Sequence, residues 1–287
     1  MINNFCVFIL THGRAHKVFT YLSLLESNYT GPVYLVIDNE DTEADEYYRI
    51  YGDKVVMFDK NKVAEKMDQG DNFKDKRTIV YARNACFEIA RNLGYEYFIQ
   101  LDDDYFNFCY KIDENYQYLD STNKSKILDL DSIFGMMLDY YKNIPARSLA
   151  MSQGGDYIGG RDSQIHKSIN SRRKAMNTLI CSVNREFKYF GRINEDVNAY
   201  SRFQNLGNLF LTIPLVAIQQ KQTQSNSGGM TEMYLDSGTY VKSFYTVMYQ
   251  PSSVKISMMG ESHRRLYHFI EWAFTVPCII SEDHKKQ

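Results

Sequence analysis

The sequence has almost no charge imbalance, few cysteines and no long apolar run. Its 33 basic and 35 acidic residues give a formal net charge of −2. A protein that holds nucleic acid by its overall field is basic, so any nucleic-acid contact here must rest on a local patch. The five cysteines, Cys6, Cys86, Cys109, Cys181 and Cys278, are scattered and odd in number, and none stands in Cys-x-x-Cys spacing. That argues against a zinc site and fits a reducing cytoplasm. Cys6 inside a strand and Cys86 on a core-facing helix position read as small hydrophobes. No stretch is long and apolar enough for a membrane span, and Met1-Ile2-Asn3-Asn4 does not open a signal peptide. The expectation is a soluble, cytoplasmic protein. No repeat or strong linker divides the 287 residues, so one domain is expected. What is abundant is aromatic: 23 tyrosines and 17 phenylalanines, which suit stacking surfaces but belong mostly to the core.

The first half alternates strand and helix signals. Apolar runs at Phe5–Leu10, Val33–Ile37, Val55–Phe58 and Tyr97–Leu101 read as buried strands. Val18–Leu25 and Thr78–Leu93 carry helical periodicity, the second closed by Gly94. This rhythm implies an α/β fold with a mostly parallel sheet covered by helices. Further on, Leu128–Tyr141 and Asn194–Leu206 read as helices, and Ser148–Ser152 and Thr178–Val183 as strands. Leu209–Ile218 reads as a strand that Pro214 makes an edge or bends. Lys111–Lys126 and Gln219–Gly229 read as polar loops. Val254–Met258 reads as a strand, and a helix is expected from about His263 to Phe274.

The strand Tyr97–Leu101 ends in Asp102-Asp103-Asp104. Acids at the carboxyl end of a strand in an open α/β sheet sit where ligands bind. On an extended backbone Asp102 and Asp104 face one side, so both reach a single hard divalent cation whose remaining ligands are commonly phosphate. The competing reading is a solvated acidic turn. Thr11-His12-Gly13-Arg14 follows the first strand, with Thr11 and Arg14 as a cradle for a diphosphate or as an ordinary strand-to-helix turn. Asp38 ends the second strand and suits a ribose hydroxyl or base N–H. In Tyr81-Ala82-Arg83-Asn84, Arg83 and Asn84 fall off the apolar face, toward nucleotide or solvent.

A strand followed by Thr-x-x-Arg, a helix bearing Ala-Arg-Asn, and a strand ending in Asp-x-Asp resembles a GT-A type glycosyltransferase. The resemblance implies a Rossmann-like sheet in one domain, with a nucleotide-sugar half over roughly 1–110 and an acceptor half over roughly 111–287. It implies Mn²⁺ or Mg²⁺ on Asp102 and Asp104, a UDP-sugar donor, and Asp103 turned toward ribose or backbone. Glu195-Asp196 before a helix matches the acid pair that supplies a general base in inverting members, with Asp196 the expected base. The alternative is that Asn194 caps the helix and the acids only favour its dipole. A late histidine is a further metal ligand in many GT-A enzymes. His263 and His268 are the candidates, and five residues apart on a helix they do not share a face. Arg264 and Arg265 stand within reach of the diphosphate, and the run Arg172-Arg173-Lys174 suits donor phosphates, a nucleic-acid backbone or solvent.

Over most of its length the chain is similar to the TET-associated glycosyltransferases. The stretches Leu101–Tyr105, Ser152–Gly160 and Arg264–His268 before Trp272 carry this likeness. It implies a phage-encoded enzyme that moves a sugar from UDP-sugar to the hydroxymethyl group of hydroxymethylcytosine or hydroxymethyluracil in DNA. Reaching that group calls for a flipped or partly extruded base. Tyr105, Phe106, Phe108 and Tyr110 would stack there or, at alternate positions, fill the core. A glycosyltransferase of glycan, lipid or protein acceptors, and a non-catalytic nucleotide-sugar-binding module, remain as alternatives.

Overall fold

A computed structural model describes residues 2–71, 76–120, 125–157, 160–162, 172–175, 177–220, 241–259, 264–277 and 279–282. Its strands are β1 (Phe5–Leu10), β2 (Val33–Asp38), β3 (Val55–Phe58), β4 (Tyr97–Asp102), β5 (Tyr105–Tyr110), β6 (Ser148–Gln153), β7 (Thr178–Ser182), β8 (Phe210–Gln220), β9 (Val254–Met259) and β10 (Arg265–Ile270). Its helices are α1 (Phe19–Glu26), α2 (Ala44–Tyr51), α3 (Lys60–Ala64), α4 (Val80–Asn92), α5 (Leu130–Asn143), α6 (Glu195–Asn205), α7 (241–249) and α8 (Trp272–Thr275).

Eight strands form one mixed sheet in the order β3-β2-β1-β4-β7-β6-β8-β5. β1, β2, β3 and β4 are mutually parallel, β6 and β8 run with them, and β7 and β5 run against them. The sheet is covered on both faces, as β1 shows residue by residue. Phe5, Val7 and Ile9 pack with α1, α2 and α5, whereas Cys6, Phe8 and Leu10 pack with α4 and α6. A strand buried on both faces reads as a continuous apolar run, which is why β1 and β4 stand out in the sequence. The chain moves outward through β1, β2 and β3, then returns through α4 to place β4 on the other side of β1. This reversal opens a crevice at the carboxyl ends of β1 and β4, the usual ligand position in such sheets.

The structure departs from expectation in the C-terminal region. Arg265–Ile270 is a strand, paired antiparallel with β9, and only Trp272–Thr275 is helical. His268 and Ile270 are buried while Arg265 is exposed, so the segment follows the two-residue period of a strand. The expected helix, and the argument about histidine spacing on it, are therefore corrected. His263 and residues 221–229 of the polar loop lie outside the described residues. β8 is interior rather than an edge. Its register against β6 jumps from Met151↔Ile213 to Ser152↔Ala217, and Pro214 occupies the bulge, where no ladder donor is required. β5 and α7 were not anticipated as elements. Among the described residues, no helix is long and apolar enough to cross a membrane.

Candidate active site

Residues from four separate segments meet at the β1/β4 crevice. Asp102 closes β4, and Asp103 and Asp104 form the turn into β5. The turn is fixed from below by Thr20, whose Oγ1 donates to the Asp102 carbonyl at 2.5 Å and whose N–H donates to the Asp103 carbonyl at 3.2 Å. The buried Tyr105 hydroxyl accepts from the Asp102 N–H at 3.1 Å and donates to the Asn177 carbonyl at 2.5 Å. Tyr105 and Phe108 are therefore core residues, and Phe106 packs on Phe19.

The three acids have different surroundings. Asp103 is buried, accepting from Thr11 Oγ1 at 2.8 Å and from the Arg14 guanidinium at 3.1 Å. The Tyr47 hydroxyl holds Thr11 from the other side at 2.7 Å and accepts the Arg14 N–H at 3.0 Å. Thr11, Arg14 and Asp103 thus form one cluster across the two strand ends. Asp102 and Asp104 keep partial exposure. Burial, with Asp104, Glu195 and Asp103 adding repulsion, pushes the Asp102 carboxyl up to about 7 despite the attraction of Arg83. Such a pocket favours an added cation.

Arg83 links this cluster to the second acid motif. Its Nε donates to Glu195 Oε1 at 2.9 Å and one terminal nitrogen donates to Asp102 Oδ1 at 3.0 Å. The side chain is fully buried rather than turned to solvent. Burial opposes its charge, but Asp102 and Glu195 outweigh that and raise its pKa further. The other terminal nitrogen, NH1, is buried with no hydrogen-bond partner among the described residues. Asn84, next along α4, makes a reciprocal pair with the Tyr189 backbone at 2.9 Å each way, anchoring the loop that leads into α6.

α6 begins differently from a capped helix. Asn194 lies in the left-handed region (φ 56°) and its side chain makes no cap. Its amide instead reaches Lys242 O at 2.7 Å, Thr246 Oγ1 at 3.3 Å and His268 Nδ1 at 3.4 Å, joining α6 to α7 and β10. The alternative that the Asn194 side chain caps the helix is therefore not met. Glu195 is committed to Arg83, and its pKa is raised by burial and by Asp196. Asp196 accepts from the Val197 N–H at 2.7 Å through Oδ1.

On the outer side of β1, Asp38 is locked rather than open to a ligand. It bonds His12 Nδ1 at 2.8 Å, Lys60 Nζ at 2.7 Å and the Glu40 N–H at 3.0 Å. Burial works against its charge, but His12 and Lys60 prevail and the pKa is lowered. His12 is raised in turn, chiefly by its hydrogen bond to Asp38. Asp41 accepts the Gly13 N–H at 2.9 Å and so shapes the Thr11–Arg14 turn. His12 stood visible in Thr-His-Gly-Arg, but nothing marked Lys60 as a neighbour of the His12–Asp38 pair, or Tyr47 as the partner of Thr11 and Arg14.

His268 is buried on β10, and burial, with Lys174 and Lys242 nearby, pushes its pKa down to about 3. Arg264 is exposed at the start of the same segment. Among the described residues no group of three or more His, Cys, Asp or Glu is arranged to hold a metal ion. The extended backbone expected to set Asp102 and Asp104 on one face ends at Asp102, since Asp104 lies in the turn; a pair of carboxylates there would suit Mg²⁺ or Mn²⁺ completed by water and substrate phosphate rather than an all-protein cage.

A match to the family described as TET-Associated Glycosyltransferase covers residues 5–229. No curated protein matches. Two solved structures cover 93% of this chain each. One is described as the crystal structure of a mycobacterial protein (8% identity, 83% of that chain, TM-score 0.46). The other is glucosyl-3-phosphoglycerate synthase from Mycobacterium tuberculosis in complex with Mg²⁺ and uridine diphosphate (7% identity, 87% of that chain, TM-score 0.47). The family match spans the crevice, the Asp102–Asp104 turn, Arg83 and the Glu195-Asp196 pair. The chain belongs to the TET-associated glycosyltransferase family and is a phage-type glycosyltransferase acting in the modification of hydroxymethylated DNA bases.

Proposed function

We propose that the protein, as one domain, transfers a sugar from a UDP-sugar to the hydroxymethyl oxygen of a modified pyrimidine in DNA. The observation that carries this reading is the Arg83 guanidinium, which holds Asp102 and Glu195 in one buried unit. It brings the acids after β4 and the acid pair at the start of α6 to a single place. Thr11, Arg14 and Asp103 lie at the nucleotide side, and Asp102 and Asp104 would hold Mn²⁺ or Mg²⁺ there. When bound, such an ion supplies Lewis-acid neutralisation of the departing diphosphate.

Asp196 is the base, since Glu195 is occupied by Arg83. It takes the proton of the acceptor hydroxyl while that oxygen bonds to the anomeric carbon. The bond from that carbon to the diphosphate oxygen breaks, and the nucleoside diphosphate leaves with the electron pair. A single base with no protein nucleophile gives an inverted anomer. The four described cysteines are buried thiols, which suits work in a reducing cytoplasm.

The test is incubation with Mn²⁺, a panel of UDP-sugars and either hydroxymethylated or plain DNA, followed by mass measurement of the nucleosides. A sugar-sized increment on the hydroxymethylated base alone is expected. UDP-sugar hydrolysis without any adduct on modified DNA would overturn the DNA acceptor and favour a glycan, lipid or protein acceptor.

A further inference from the structure

β5 breaks the two-residue period of a strand. Tyr105 and Phe108, three apart, both lie in the core shared with α1 and α5. The register gives the reason. Tyr105 stands opposite Gln220 and Asn107 opposite Gln219, so β5 carries one extra residue there. Such a bulge sets two residues against one and re-aims side chains, often beside an active site. Phe106 and Asn107 are the two left between the core residues, and both are half-buried. A regular strand would turn one of them inward. The bulge thus leaves a phenyl ring and a carboxamide side by side, just beyond Asp104.

Two carboxamide pairs meet the bulge. Asn107 Nδ2 donates to Gln219 Oε1 at 3.0 Å, and Asn177 Nδ2 donates to Gln220 Oε1 at 3.1 Å. The second pair is tied to the acid turn, because the Tyr105 hydroxyl donates to Asn177 O at 2.5 Å and accepts the Asp102 N–H at 3.1 Å. β8 runs with β4, so Gln219 and Gln220 end their strand on the same sheet edge as Asp102. Two amides joined head to tail use one N–H and one oxygen. Asn107 Oδ1 and Gln219 Nε2 keep an acceptor and a donor for a further partner. The Phe106 ring packs with Phe19, centroids 5.5 Å apart. None of these six side chains is charged, whereas phosphates are met by cations and hard metal ions by anionic oxygens. A flat, neutral molecule with donors and acceptors along one edge suits them.

We infer that Phe106, Asn107 and Gln219 form the seat of the acceptor pyrimidine once it has left the duplex. Phe19 supports the ring, and the Asn177–Gln220 pair fixes the seat against the acid turn. This deepens the transfer reading above and rests on it. A flipped base is read by stacking on an aromatic face and by hydrogen bonds to its Watson–Crick edge, and the bulge offers both together. C5 lies outside that edge, so a base held this way points its hydroxymethyl group away from the carboxamides and leaves it open to reaction. A carboxamide offers either an oxygen or an N–H. The seat therefore receives cytosine, which has an amino group at C4, and uracil, which has an oxygen there.

The test uses the full chain and duplexes carrying hydroxymethylcytosine or hydroxymethyluracil beside 2-aminopurine, which brightens when its neighbour leaves the stack. Variants are Phe106→Ala, Phe106→Tyr and Gln219→Glu, each checked for folding by circular dichroism. Phe106→Ala should dim the fluorescence rise and lower kcat/KM for DNA about tenfold, as expected for a lost base–aromatic stack. KM for the UDP-sugar and its hydrolysis without DNA should not change, and Phe106→Tyr should recover most of the loss. Gln219→Glu keeps the acceptor for Asn107 but turns the outward donor into an oxygen. It should shift the kcat/KM ratio toward hydroxymethylcytosine about tenfold. If Phe106→Ala does not fold, the Gln219→Glu ratio decides, and an unchanged ratio in the folded variant overturns the seat. A higher UDP-sugar KM with DNA kinetics unchanged would also overturn it and put the donor sugar on the ring. Sugar transfer to DNA that is indifferent to all three variants would sink the seat and keep the transfer reading. A fluorescence rise that depends on Phe106, with no sugar transferred from any donor, would keep the seat and sink the transfer reading.

Discussion

Arg83 and Glu195, 112 residues apart in sequence, are joined by a 2.9 Å bond from guanidinium Nε to carboxylate. The same guanidinium holds Asp102 at 3.0 Å. Removing the cation leaves the buried Glu195 and the partly buried Asp102 carboxylates without compensation. Breaking a buried ion pair from one side typically costs about 3–5 kcal/mol. Arg83→Met should therefore lower the unfolding free energy by about that amount, measured by urea denaturation, and abolish transfer. Arg83→Lys supplies a point charge that does not span both acids. It should restore part of the stability and little of the activity. Full activity in Arg83→Met would refute the joint role of the two acid motifs.

The start of α6 separates catalysis from capping. Because Asn194 points to α7 and β10, Asp196 is not paired with a capping side chain. Asp196→Asn keeps an acceptor for the Val197 N–H but removes the base. Expected is a kcat loss of about 10²–10⁴ with UDP affinity and thermal midpoint close to wild type. Loss of folding instead would mean that the acid serves the helix. The product anomer, read by NMR, should be inverted relative to the donor.

Much of the frame was legible because its strands are buried on both faces. β1, β2 and β4 announce themselves as apolar runs, and Gly94 ends α4 at φ +81° where a glycine is expected. The acids were legible for a different reason: carboxylates at the ends of such strands have few structural duties. What the sequence did not show was pairing across distance. Arg83 was singled out, yet its partners lie 19 and 112 residues away, and no local pattern encodes that. Lys60 under Asp38 is the same case. The segment expected as a helix from about His263 to Phe274 forms β10 instead, as the Tyr-His-Phe-Ile composition and alternating burial of a strand require. The identity of Asn194 fits a cap, and only its left-handed backbone shows otherwise.

The His12–Asp38 pair gives a pH signature outside the acid turn. His12 is raised above its usual 6.5, so what the pair contributes is fully present below that value and fades as pH rises through the raised one. Asp38 is lowered below its usual 3.8, so its share is present above that value and fades as pH falls through the lowered one. The thermal midpoint difference between wild type and His12→Gln should be widest between those limits and vanish at high pH. NMR titration of the His12 ring should place its midpoint above 6.5. A midpoint below it would show that Lys60 and burial dominate.

Gly191 tests how tightly the loop before α6 sets the acids. It sits at φ +78°, and an added Cβ would lie 2.5 Å from the Asn198 amide nitrogen and 2.7 Å from the Tyr249 ring. That amide ties the Phe190 and Ile193 carbonyls at 3.1 and 3.0 Å. Gly191→Ala therefore adds left-handed strain and disturbs two hydrogen bonds immediately before Asn194. A loss of about 2–4 kcal/mol is expected, with a fall in kcat as Glu195 and Asp196 shift. Gly94→Ala is the control, since its φ is +81° but nothing lies within 4 Å of the new Cβ. It should lose only the backbone cost of about 1–2 kcal/mol and keep its kcat. If both variants lose stability equally and both keep full turnover, the loop does not position the acid pair.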